Sequence, residues 1–250
     1  MINYKTEEEI KIMFEGGKKL RRIIDQLKNE VKEGMTTMMI EERARELIKK
    51  EKAEISFNKV DGYDFATCLP INEQIVHTRP SKRVLKEGDL LTIDMGVYYE
   101  GFHTDCAETL VVGKEEEGEM KKFLDAGRTA LNLAIKKAKN GSYLGAISAV
   151  IEETIKKNGY FVIKQLTGHG IGRKLHEDPF VLGFLNQPIE KTLKIRPGLV
   201  IAIEVIYSTG TEEMVYEPGD SWSIVTKDGS LSACFEKTIA ILKDKTLVLT

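Results

Sequence analysis

The chain has 250 residues, 42% hydrophobic and 30% charged, with a formal net charge of -2. This is the composition of an ordinary globular protein and carries no electrostatic footprint for specific nucleic-acid binding. No signal-peptide core opens the chain and no run of about 18 apolar residues could span a membrane. The three cysteines, Cys68, Cys106 and Cys234, form no Cys-x-x-Cys pair, which argues against a thiolate zinc site and for a reducing, cytoplasmic location.

Thr6-Glu7-Glu8-Glu9 predicts a helix start, with Thr6 as N-cap and Glu9 as its capping-box partner. Ile10, Met13, Phe14, Leu20, Ile23, Ile24 and Leu27 then recur at helical spacing, and Gly34 breaks the pattern. The basic cluster Lys18-Lys19-Leu20-Arg21-Arg22 reads as a solvated helix face. A second helix is expected over about Thr37 to Lys50, followed by short strands and turns through Pro80. Gly88-Asp89 leads into an apolar strand, and Tyr98-Tyr99-Glu100-Gly101 reads as a hairpin turn. A third helix is expected over about Glu116 to Lys139, before Asn140-Gly141, and a fourth over about Leu144 to Lys157, before Asn158-Gly159. The remainder is strand-rich, with turns at Arg196-Pro197-Gly198, Pro218-Gly219 and Asp228-Gly229.

This order repeats: two helices, then strands, twice. Val31-Lys32-Glu33-Gly34 matches Ala138-Lys139-Asn140-Gly141, and Asp94 follows Gly88 at the spacing by which Glu204 follows Gly198. The period is too long for a solenoid and describes a duplicated half-domain. A single catalytic domain over residues 1–250 is therefore expected, with halves of about 1–113 and 114–250 related by a pseudo-twofold axis.

Four carboxylates interrupt the most apolar strands. Asp94 lies in Leu90-Leu91-Thr92-Ile93-Asp94-Met95-Gly96-Val97, and Glu204 in Leu199-Val200-Ile201-Ala202-Ile203-Glu204-Val205-Ile206. Asp105 and Glu236 open two further strands. An unpaired buried carboxylate costs several kcal/mol, so it must be neutralised, paired or bound to metal. With the turn centred near Tyr99-Glu100, Asp94 and Asp105 are expected to oppose each other directly, which like charges tolerate only with a cation between them. His169 stands in Gly168-His169-Gly170-Ile171-Gly172, whose glycines allow close backbone approach. His103, at a hairpin corner, reads as structural. Four carboxylates and one imidazole favour hard or borderline ions, Mn, Fe, Co or Zn, and two ions balance the charge better than one. Two such ions serve hydrolytic chemistry.

At this point the residues resemble the type I methionine aminopeptidases of the pita-bread metallopeptidases. The resemblance rests on Cys68-Leu69-Pro70-Ile71-Asn72-Glu73 with His77, Ile93-Asp94-Met95-Gly96 through Gly101-Phe102-His103-Thr104-Asp105, Gly168-His169-Gly170 through His176-Glu177-Asp178-Pro179, and Leu231-Ser232-Ala233-Cys234-Phe235-Glu236. It implies an α+β pita-bread fold with a central antiparallel sheet and flanking helices. It also implies that Asp94 chelates one of two divalent ions, that Asp105 and Glu236 bridge both, and that His169 and Glu204 bind the second. In that scheme the bridging hydroxide attacks the carbonyl after the amino-terminal methionine, and Glu204 assists proton transfer. His176 donates to the carbonyl oxygen, and His77 contacts the scissile amide or the next residue. Tyr63, Cys68, Leu175 and Trp222 match positions that line the methionine pocket, together with His77 and His176. The implied substrates are peptides and nascent chains whose second residue is small, met by a monomer in transient contact with the ribosome. Xaa-Pro peptidases share the fold but carry an extra amino-terminal domain, and non-catalytic relatives lose ligands. The chain departs from the pattern at Val205, Lys237, Leu175 and Thr78-Arg79, and Arg79 puts a fixed charge near the expected exit side, which bears on second-residue preference.

Overall fold

The computed structural model describes residues 2–250, so Met1 of the amino-terminal segment lies outside it. Helix α1 (Glu7–Glu30) opens with the full capping box: the Glu9 N–H donates to the Thr6 hydroxyl and the Thr6 N–H to the Glu9 carboxylate. Helix α2 (Thr37–Lys50) follows, then β1 (Glu54–Ile55), β2 (Thr67–Cys68), β3 (Gln74–Val76) and the long strands β4 (Leu90–Tyr99) and β5 (Phe102–Val111). The second half carries α3 (Gly118–Lys137), α4 (Leu144–Lys157), β6 (Phe161–Val162), β7 (Thr167–Gly170) and β8 (Glu177–Leu182). Strands β9 (Val200–Ser208), β10 (Met214–Tyr216), β11 (Ile224–Thr226), β12 (Ser232–Ile241) and β13 (Thr246–Val248) complete it. Helix α3 is shorter at both ends than its sequence pattern suggests. The Glu116 carboxylate is drawn to Arg128, at 2.5 and 2.6 Å, and Ala138 leaves helical torsions at ψ 78°.

Two helices cover one face of each long strand pair. Leu91, Ile93, Met95 and Val97 of β4 pack beneath α1 and α2, and Ile201, Ile203, Val205 and Tyr207 of β9 beneath α3 and α4. Side chains alternate across a strand, so the even-numbered residues of these strands, Asp94 and Glu204 among them, turn to the opposite face. The fold is the α+β pita bread, with the helices outside and the antiparallel strand pairs facing inward between the halves.

Strands β5 and β12 meet at the seam without a ladder. Two threonine hydroxyls join them instead. Thr238 Oγ1 accepts from Asp105 N–H at 2.9 Å and donates to Asp105 O at 2.8 Å. Thr109 Oγ1 does the same with Cys234, accepting at 3.0 Å and donating at 2.9 Å. Each half thus sends one hydroxyl to the other half's backbone, beside a candidate metal-binding carboxylate.

Behind the seam, on the helix side, Glu108 collects the cations Arg21, Lys28 and Lys237. Arg21 and Arg22 are therefore paired rather than free, the latter with Glu51 at 2.6 Å. Burial opposes the Glu108 charge, but these cations outweigh it and hold the carboxyl down at about 2. A depressed folded pKa gives stability that is present above the unfolded value near 4.5 and lost as pH falls toward 2. Glu108→Gln is expected to lower unfolding free energy at pH 7 by about 3 kcal/mol, measured in urea, with the deficit closing as pH approaches 2. A deficit independent of pH would mean that packing, not charge, is lost.

Candidate metal centre

The β4–β5 hairpin turns through Glu100 and Gly101, both left-handed at φ 46° and 90°. That two-residue turn suits the twist of a hairpin. It places Gly96 opposite Asp105 and Asp94 opposite Ala107. Asp94 and Asp105 are therefore diagonal neighbours, not directly opposed as the sequence suggested. The expected turn centre was one residue too early, which offsets the pair by two. An offset of two keeps both on the same face. Across the seam, Glu204 and Glu236 are directly opposed on β9 and β12.

His169 comes from β7, which pairs with β9 at Ala202. The flanking glycines are needed because backbone crowds them: a Cβ on Gly168 would lie 2.4 Å from Ala202 O, and one on Gly170 2.2 Å from Asp178 O. Gly168→Ala is expected to cost roughly 1–3 kcal/mol, as overpacked cores do, and to weaken metal uptake as β7 moves from β9. Urea unfolding with metal titration checks both, and unchanged affinity in a destabilised variant would detach His169 from the site.

Asp94, Asp105, His169, Glu204 and Glu236 all line one cavity of about 840 Å³, with Tyr63, Cys68, His77, Leu175, His176 and Trp222 on its walls. Every site residue expected from the sequence reaches this space. Asp105, His169 and Glu236 each offer a ligand atom within 4.8 Å of the others. Asp105, Glu236 and His169 are buried, while Asp94 and Glu204 are half-buried.

The electrostatics ask for positive charge. Burial raises Asp105 to about 7, against the lowering effect of the Cys106 N–H at 2.9 Å. Burial, and then the neighbouring carboxylates, push Asp94, Glu204 and Glu236 well above the usual range. Glu236 Oε1 is buried with no hydrogen-bond partner among the described residues. The imidazoles are poised to help. Burial, with His176 nearby, lowers His169 to about 4, so its ring is neutral at pH 7. Its Nδ1 lies 2.8 Å from Gly170 O, which can only accept, so Nδ1 carries the proton and Nε2 keeps a lone pair. That Nε2 faces Glu204 Oε1 at 3.5 Å. Two acceptors at that separation, beside an orphaned carboxylate oxygen, fit a divalent ion between them.

The walls are ordered. His176 meets His169 edge-on at 4.5 Å. The Tyr63 hydroxyl donates to Thr67 O at 2.8 Å and lies 3.1 Å from Cys68 Sγ, and Cys68 stands opposite Asp94 on β2. His77 holds a left-handed φ of 57°, a strained torsion for a non-glycine residue. His103 is buried with Nδ1 2.7 Å from Ser56 Oγ and does not line the cavity. Arg79 does not line it either: its guanidinium binds Asp220 at 2.6 Å, so the fixed charge expected at the exit is compensated. Sequence reasoning passed over Ile206, which shares Glu204's face two residues on and could have been found by that period. It also missed Phe180 at the mouth, 70% exposed, which carries no local signal.

Comparison with known proteins agrees with this geometry. The sequence model of metallopeptidase family M24 matches residues 11–243. The chain is 39% identical to the methionine aminopeptidase of Aquifex aeolicus, over 98% of this chain and 97% of that one. Among solved structures, the methionine aminopeptidase of Thermotoga maritima superposes with a TM-score of 0.95 at 36% identity, covering 100% of this chain and 99% of that one. A prolidase from Pyrococcus furiosus shares the fold, at TM-score 0.79 and 23% identity, with 99% of this chain on 65% of that one.

Proposed function

The chain belongs to metallopeptidase family M24, and from that premise we propose how its residues divide the work of removing an amino-terminal methionine. It is a metal-dependent hydrolase of the methionine aminopeptidase kind, and no helix among the described residues is long and apolar enough to cross a membrane. The observation that carries the reading is the convergence of Asp94, Asp105, His169, Glu204 and Glu236 at one cavity, with Glu236 Oε1 buried and unpartnered.

Asp94 would hold one divalent ion, His169 Nε2 and Glu204 a second, and Asp105 and Glu236 both. Two ions of the Mn, Fe, Co or Zn group offset the four carboxylates. Such ions supply Lewis-acid polarisation of the scissile carbonyl and a water of lowered pKa. Glu204, its carboxyl raised by burial, is suited to accept a proton on its carboxylate and return it to the leaving amine. His176, held neutral by burial, would donate to the carbonyl oxygen as charge grows there. His77 would meet the scissile nitrogen or the following residue. Tyr63, Cys68, Leu175 and Trp222 make an apolar pocket suited to a flexible thioether. The implied substrates are nascent cytoplasmic chains with a small second residue, processed by a monomer.

The test adds Mn or Co to metal-free protein and offers Met-Ala-Ser against Leu-Ala-Ser. Methionine-selective release is expected, and no such cleavage with any divalent ion would remove the reading.

A further inference from the structure

Two segments of the cavity wall leave neighbouring strands and then separate. Strands β3 and β11 pair at Val76 and Ile224, and the ladder ends there because His77 turns left-handed at φ 57°. Beyond that point the two chains carry His77-Thr78-Arg79 on one side and Asp220 through Ser223 on the other. The Asp220 carboxylate rejoins them. Its Oδ1 accepts from Arg79 Nη2 at 2.6 Å and from the Trp222 backbone N–H at 2.8 Å, and its Oδ2 accepts from Ser223 Oγ at 2.7 Å. One carboxylate oxygen is thus shared by the guanidinium and by the amide that sets where Trp222 points. The Trp222 ring then meets Tyr63 edge-on at 5.0 Å and His77 at 6.4 Å. These three rings form one continuous wall of the cavity.

We propose that Arg79 and Asp220 are positioning residues for methionine selectivity: their ion pair clamps the Trp222 loop to the His77 segment and so fixes the aromatic wall of the methionyl pocket. The proposal rests on the aminopeptidase reading above. Neither residue lines the cavity, so neither forms the wall that meets the methionyl side chain. The pair's hydrogen bonds go to Trp222 and Ser223 and to none of the metal-binding carboxylates, so losing it loosens the pocket without removing chemistry. Both side chains are partly exposed, Arg79 at 36% and Asp220 at 26%, and pairs of that kind do little for global stability. A positional role is what remains for it.

Trp222 is the only tryptophan, so fluorescence excited at the red edge, where the 8 tyrosines do not absorb, reports this loop alone. The experiment compares metal-loaded wild type with Arg79→Met, Asp220→Ala and Arg79→Lys, reading acrylamide quenching and steady-state kinetics on Met-Ala-Ser. Arg79→Met and Asp220→Ala should each raise KM about tenfold with kcat within about twofold, the signature of lost ground-state binding. Quenching of Trp222 should increase in both, and Arg79→Lys should restore most of the wild-type KM and quenching. Unchanged KM and quenching in both variants would overturn the proposal, and so would a fall in kcat with KM held. Quenching needs no turnover. If wild type releases no methionine, the aminopeptidase reading fails, and quenching alone still decides whether the clamp holds Trp222.

Discussion

Asp105→Asn is expected to move activity and stability in opposite directions. With divalent metal present, release of methionine should fall by roughly 10³-fold or more, since charge stabilisation by a correctly held ion supplies several kcal/mol. In metal-free protein at pH 8 the same change should raise unfolding free energy by up to about 4 kcal/mol. The sign follows from burial. Asp105 titrates at about 7 when folded, against 3.8 ordinarily. A carboxyl raised in this way gives stability that is complete below about pH 4 and lost as pH climbs through 7. Asparagine pays no such penalty and keeps the acceptor for the Cys106 N–H. The gain should therefore fade on acidification to pH 4. Chelator-treated proteins unfolded in urea at pH 5 and pH 8, beside turnover assays, decide it. A variant that loses activity without gaining stability at pH 8 would show that this carboxylate is not the strained charge burial makes it.

Metal uptake should also eject protons. Asp94, Glu204 and Glu236 are all raised by burial and then by neighbouring carboxylates, Asp105 foremost, and Asp105 itself sits near 7, so metal-free protein at pH 6 holds protons on these oxygens. Ions bind the deprotonated forms, so binding must release them. Calorimetric titration of Mn into metal-free protein, in buffers of unequal ionisation enthalpy, should give an observed enthalpy that becomes more exothermic as the ionisation enthalpy of the buffer rises, because the buffer takes up the released protons. The slope should be at least about one proton at pH 6 and smaller at pH 8. Zero slope at pH 6 would mean that the carboxylates are already ionised and that their burial is relieved by other means.

Much of this was legible in the chain because it was local. The capping box at Thr6 and Glu9, Gly34 after the first helix and the Asn-Gly stops after Lys139 and Lys157 mark the helices through short-range signals. The acidic residues stood out because an apolar strand cannot carry a charge without a reason. The hairpin register was misjudged because the turn depends on two left-handed torsions at Glu100 and Gly101, and glutamate gives no warning of one. The face of the sheet survived the error because side-chain alternation is insensitive to an even shift. Arg79 was misread for a different reason. Its partner lies 141 residues away, and nothing near Arg79 announces it.

The threonine stitches at the seam bear on how the protein comes into being. Thr238 joins the backbone of Asp105 across 133 residues, and Thr109 joins Cys234 across 125. Contacts so distant in sequence form late and slowly, because loop closure precedes any reward. During synthesis the first half can collapse around its own helices, but it holds only two of the five metal-binding candidates, Asp94 and Asp105. Ion binding therefore has no foothold on a partial chain and reports completion of the whole fold. Unfolding the seam should therefore release the ion in the same step.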